Sequence, residues 1–140
     1  MFSKTTQYAL RAATYLGQQP GRRVTSQEVA GAAGVSVKYM AKVMLQLSNA
    51  GVVESQRGPT GGFWLTADPA ETSLLDIVSA IEPIQRIHEC PLKLERHCDE
   101  LCPLHSALDG LAEAAQNRLA ATMLTDLANQ NTTELGLPGQ

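Results

Sequence analysis

The chain has 140 residues, 44% of them hydrophobic but only 4% aromatic, and a net charge of −3. That is room for one globular core, or for a small domain with an oligomerisation element, and too little for two independent domains. No stretch approaches the ~20 apolar residues of a membrane span, and Lys4, Arg11 and glutamines interrupt the start where a signal-peptide core would lie, so a soluble, cytoplasmic protein is expected.

Ser3 to Gln18 predicts a first helix with Tyr8, Ala12, Tyr15 and Leu16 on one stripe, stopped by Gln19-Pro20-Gly21. Thr25 and Glu28 then stand at capping-box spacing, ahead of a short helix with Val29, Ala30 and Ala33 inward and Gly34 as its left-handed terminator. Ser36 caps a second helix, "VKYMAKVMLQLSNAG", whose Met40, Val43, Met44 and Leu47 form the buried stripe and whose Gly51 ends it. Two short helices joined by a tight Gly-containing turn make a helix-turn-helix. "VVESQ" and "FWL" flank "RGPTGG" as two strands around a Pro/Gly tip. The expected fold is mainly α with a small β-hairpin wing, a winged helix-turn-helix followed by a long C-terminal dimerisation helix.

Beyond the wing, Ser73 caps "LLDIVSAI", with Leu74, Ile77, Val78 and Ile81 on its apolar face and Pro83 closing it. A Cys/His-rich loop follows. A long helix is then predicted from Pro103 to Ala128, because Leu104, Leu108, Leu111, Ala115, Leu119, Met123 and Leu127 recur at steps of three or four. The organisation that follows is a winged helix-turn-helix region with its following helix over 1–82, a Cys/His loop over 83–105, a dimerisation helix over 106–128 and a disordered tail over 129–140.

Charge is divided unevenly. Residues 1–65 hold seven basic side chains against Glu28 and Glu54, whereas residues 66–140 hold four against twelve acidic ones. A polyanionic partner for the first half alone would explain this. Lys38, Tyr39 and Lys42 fall on the face opposite the buried stripe, in the first turns, where a recognition helix with Ser36 at its cap meets bases and phosphates. Arg57 at the wing tip suits a minor groove. Gly58, Gly61 and Gly62 would let the hairpin backbone approach phosphates, and the amides of Thr25 and Ser26 lie at a helix N-terminus that favours anions. Each residue alone reads as a solvated side chain. As a set they make a face for double-stranded DNA.

All three cysteines and all three histidines lie in "HECPLKLERHCDELCPLH", residues 88–105. An odd cysteine count cannot pair fully within one chain. Cys90, Cys98, Cys102 and His105 offer three thiolates and an imidazole, which suit a tetrahedral zinc or an iron–sulfur cluster, and ligand count does not separate the two. Pro103 makes Cys102 the expected helix N-cap, where the helix dipole favours a thiolate, with His105 one turn further in. His88 and His97 read as surface or supporting residues. An enzyme with Cys as nucleophile and His as base finds no Gly-rich phosphate loop or carboxylate pair to support it.

The stretch "VSVKYMAKVMLQLSNAGVVESQRGPTGGFWL" resembles the IscR/NsrR-like winged-helix regulators, and the resemblance runs from about Ser3 to Leu127. It implies a homodimeric, DNA-binding transcriptional regulator, more often a repressor, with Lys38, Tyr39, Lys42 and Arg57 facing DNA. It also implies an iron–sulfur cluster, [2Fe-2S] or [4Fe-4S], on Cys90, Cys98, Cys102 and His105, with zinc or a cluster-free thiol switch as the alternatives. The three cysteines are spaced less evenly than in many members. Gln7 and Arg11, poor ligands both, stand where some members place a ligand from the partner's first helix.

Overall fold

The computed structural model describes residues 2–93 and 102–130. Helix α1 spans Lys4–Gly17 between the Ser3 and Gln18 caps. Its Ala9, Ala12 and Ala13 are fully buried, and side chains this small let neighbouring helices approach its axis closely. Helices α2 (Ser26–Ala33), α3 (Val37–Asn49) and α4 (Leu74–Ile81) all pack against it.

The helix starts follow from residue type. Thr25 Oγ1 accepts the Glu28 amide while Glu28 Oε2 accepts the Thr25 amide at 2.8 Å. Ser36 Oγ accepts the Tyr39 amide at 3.1 Å, and Ser73 with Asp76 repeats the reciprocal arrangement on α4. Each bond satisfies amides that a helix start leaves without intrahelical partners. Gly34 ends α2 at φ 77°, a left-handed conformation that penalises any Cβ.

Strands β1 (Val53–Gln56) and β2 (Gly62–Leu65) pair antiparallel, with Val53 opposite Leu65 and Gln56 opposite Gly62. Val24 adds a third rung by exchanging both backbone bonds with Phe63, at 2.9 and 2.8 Å, so the wing is sewn to the segment that leads into α2. At the hairpin tip a Cβ on residue 61 would stand 2.0 Å from the Gln56 carbonyl oxygen. Only glycine fits there. Met40, Met44 and Leu47 of α3 meet Ile77 of α4 together with Val24, Val29, Val53 and Leu124, all fully buried. Removing each such side chain from water contributes roughly 1.5–3 kcal/mol.

The C-terminal region corrects one expectation. The long helix predicted as far as Ala128, with its dimerisation segment at 106–128, is two helices: α5 (Pro103–Ala121) and α6 (Leu124–Ala128). Thr122 is extended, and the two strands of chain at 72–74 and 122–124 pair briefly. The Leu74 amide donates to Thr122 O at 2.9 Å and the Leu124 amide to Thr72 O at 2.7 Å. The break turns α6 back onto α1, where Leu124 is fully buried beside Gly17. No Pro or Gly marks the break, so periodicity alone runs straight through it. Tertiary hydrogen bonds and one buried leucine override it. Of the expected disordered tail, 129–140, only residues 129 and 130 are described. Among the described residues there are six helices and one two-stranded sheet, and no helix is long and apolar enough to cross a membrane.

Candidate nucleic-acid interface and cysteine site

The first half builds a basic, grooved face. The start of α2 and the wing enclose a groove of about 460 Å³, and Thr25, Ser26, Arg57, Gly58, Gly61 and Gly62 all line it. Six of the ten residues expected to face DNA therefore meet in one place. Lys38 and Lys42 are exposed on α3, one turn apart, on the side away from the core. Two expectations change in detail. The Thr25 amide, read as a phosphate donor, donates to Glu28 instead. Tyr39 does not stand out with the lysines. It is half-buried, its hydroxyl lies 2.6 Å from Thr5 Oγ1, and its ring meets Tyr8 edge-on at 5.7 Å.

Arg23 counted only as charge in the sequence, yet it organises the wing. Its guanidinium stacks on the Trp64 ring at 4.8 Å and donates to Thr60 O at 3.0 Å and to the Gln56 side chain. Trp64 in turn donates to Glu54 Oε2 at 2.8 Å. A basic residue two positions before a capping box, opposite a strand tryptophan, was the available signal. Next to it, Arg22 pairs with Glu28 at 2.9 Å, and this bond together with the Thr25 amide holds the Glu28 carboxyl below its ordinary pKa. Both side chains are partly exposed to solvent, so the ion pair itself contributes little.

The second site lies at the N-terminus of α5. Cys102 is the N-cap, its Sγ accepting the His105 amide at 3.3 Å, with Pro103 at the first helical position. Cys90 Sγ lies 3.7 Å from Cys102 Sγ. That is far beyond a disulfide, whose sulfurs sit about 2.05 Å apart. It matches the edge, about 3.8 Å, of a tetrahedron with metal–sulfur bonds of ~2.3 Å. The soft donor pair thus fits two thiolates on a single metal, a zinc ion or one iron of a [2Fe-2S] cluster. Cys98 and His97 lie outside the described residues, and among the described residues no group of three or more His, Cys, Asp or Glu could hold a metal ion. His105 is buried with Nε2 2.5 Å from Ile87 O. A carbonyl only accepts, so Nε2 carries the proton and Nδ1 is the basic nitrogen. Gln7 and Arg11 bind within their own chain, to Phe2 O and Ala33 O.

The strap leading to Cys90 is bound along one polar stripe of α5. Gln116 donates to Ile84 O at 2.6 Å. Arg86 grips Asp109 through two bonds, at 2.7 and 2.6 Å, and the Ile87 amide adds a third to the same carboxylate at 2.9 Å. Arg86, and then the Ile87 amide, hold the Asp109 carboxyl well below the usual carboxylate range. His105, Asp109 and Gln116 share this face, and reading only the leucines of the helix passed over it.

With both sites described, comparison with known proteins places the chain. Residues 2–130 match the family model described as "Rrf2: Iron-dependent Transcriptional regulator". The chain belongs to the Rrf2 family. It is 33% identical over 132 residues to a protein of Aquifex aeolicus (strain VF5) that carries the name of an HTH-type transcriptional regulator, 92% of each chain being covered. Among solved structures it is similar to CymR, the global cysteine regulator of B. subtilis, with a TM-score of 0.75 and 27% identity over 91% of this chain and 95% of that one. Its fold is also that of T. potens IscR, with a TM-score of 0.74 and 22% identity over 100% of this chain and 93% of that one. This Rrf2 protein is therefore a transcriptional regulator with a DNA-binding winged helix, not an enzyme, and the resemblance read from its helix-turn-helix and wing holds.

Proposed function

We propose that this Rrf2 protein is a cytoplasmic homodimer that binds an operator in double-stranded DNA, as a repressor, with an affinity set by an iron–sulfur cluster on its cysteine strap. The observation that carries the sensor reading is the 3.7 Å spacing of Cys90 and Cys102 at a helix N-terminus. Cys90, Cys98 and Cys102 are the thiolate ligands, and His105 Nδ1 is the fourth donor, since a ligating histidine commonly gives its other N–H to a carbonyl. When bound, the cluster supplies a redox- and nitric-oxide-responsive charge at this point. The chain's own residues do the rest. Lys38 and Lys42 enter the major groove, with Ser36 at the same helix start. Arg57 reaches the minor groove, and Ser26 with Gly58, Gly61 and Gly62 approaches the phosphates. Tyr39 contributes by holding α3 to α1, and Thr25 by capping α2.

The exposed Leu104, Leu108 and Leu111 of α5 face a second copy. A dimer reads half-sites about 34–36 Å apart, so a small change in the posture of α5 forfeits one of them. The test is oxygen-free purification with iron, acid-labile sulfide and zinc analysis, then operator binding by loaded and stripped protein at one fixed salt concentration. Iron with sulfide, and unequal affinities, are expected. Equal affinities overturn the switch. The same sulfur spacing favours one other reading, a thiol switch in which Cys90 and Cys102 join directly. Colourless, iron-free protein whose thiol count falls by two on oxidation selects it, and stoichiometric zinc selects a zinc-stabilised regulator instead.

A further inference from the structure

We propose that Arg86 and Asp109 form a latch that presents Cys90 to Cys102: they are positioning residues for the cysteine site, acting through the strap and touching neither sulfur. The inference deepens the sensor reading above and rests on it only for the purpose the sulfurs serve.

The geometry is specific. Glu82 caps the end of α4 and Pro83 forbids its continuation, so residues 84–87 have no helix of their own to order them. They are ordered instead by α5. The Ile84 carbonyl accepts from Gln116, the Arg86 guanidinium closes a two-bond fork on Asp109, the Ile87 amide donates to the same carboxylate, and the Ile87 carbonyl accepts from His105. Asp109 is the centre of this set, because one side chain holds both a strap side chain and a strap backbone amide. Three residues beyond Ile87 comes Cys90, and seven residues before Asp109 on the opposite side comes Cys102, so the latch closes a small loop whose two ends are the sulfurs. A bidentate guanidinium–carboxylate fork fixes direction as well as distance. Two thiols held at 3.7 Å need no search to meet a common partner. Glu113, more exposed and 3.4 Å from Arg86, is an accessory.

The readout is the equilibrium of the thiol pair itself, which needs no metal. In full-length protein carrying Cys98→Ala, Cys90 and Cys102 are titrated against reduced and oxidised glutathione. The two protein thiols give up two electrons and two protons to form one disulfide, and one oxidised glutathione takes them up to become two reduced molecules. The equilibrium constant reports the effective concentration of one thiol at the other. Asp109→Asn and Arg86→Gln are each expected to lower it about tenfold or more, with the double variant no worse than either single one and Glu113→Gln nearly silent. Helix content by circular dichroism stays at the parent level. Values for the latch variants that stay at the parent's overturn the proposal, as does a parent that forms no Cys90–Cys102 disulfide.

A second measurement uses the unaltered protein. The Ile87 amide, bonded to Asp109, is expected to exchange with solvent deuterium far more slowly than the amide of His88, an exposed residue, and fast exchange at Ile87 also overturns the latch. The two readings fail separately. Iron-free protein with a latch-dependent thiol equilibrium sinks the cluster and keeps the latch. Cluster-loaded protein with a latch-independent equilibrium does the reverse.

Discussion

At Tyr39 one hydroxyl serves two helices. Its bond to Thr5 and its edge-on contact with Tyr8 tie the start of α3 to α1, so Tyr39→Phe is expected to cost about 0.5–1.5 kcal/mol, the net worth of one such bond. Denaturant unfolding checks it. Lys42→Ala, by contrast, is expected to leave stability unchanged, weaken operators of any sequence, and lower the slope of log affinity against log salt by about one. Asp109 makes a pH prediction. A carboxylate held below its ordinary pKa stabilises the fold while ionised; the contribution is complete above about pH 4, the ordinary aspartate range, and is lost as pH falls through the group's own lower value. Melting curves of parent and Asp109→Asn should therefore differ by a constant amount over about pH 5–8 and converge at lower pH.

Among the elements, the wing is the one most dependent on a single missing atom. Gly61→Ala sets a Cβ against the Gln56 carbonyl, and backbone there can only move away. The hairpin tip, with Arg57 on it, is expected to shift while the core, which it does not enter, stays intact. An operator affinity reduced about tenfold or more, a loss of more than 1.4 kcal/mol, with little change in melting temperature, is the expected result, and altered Trp64 fluorescence reports the shift directly. Most of this element was legible beforehand. "RGPTGG" announces a hairpin and the Thr25–Glu28 box announces α2. The clamp of Arg23 on Trp64, Gln56 and Thr60 was not legible, because it joins residues more than thirty positions apart and carries no local spacing.

For the whole molecule, α5 has two faces with different fates. The polar stripe of His105, Asp109 and Gln116 is covered by the strap. The leucine side is left to solvent, Leu111 being 68% exposed. Burying leucines of this kind contributes roughly 1.5–3 kcal/mol each, which is the reason to expect a second copy there. Leu111→Glu should give a monomeric mass by light scattering with unchanged helix content, and a wild-type monomer at micromolar concentration would argue against the dimer. The division of charge fits the same picture. The basic half carries the wing and α3, and the acidic half carries α5 and the strap.

Local chemistry was enough to determine the caps at Thr25, Ser36, Ser73 and Cys102, the buried stripe of Met40, Val43, Met44 and Leu47, and hence the winged helix itself, because each depends on residues within a few positions of one another. Only the folded chain decided the rest. The break at Thr122 exists because Leu124 gains more by burial against α1 than a straight helix gains by continuing. The 3.7 Å meeting of Cys90 and Cys102 exists because Asp109, seven residues past one sulfur, holds the strap that carries the other. Contacts between segments distant in sequence leave no period to read, and their energy appears only when the segments meet.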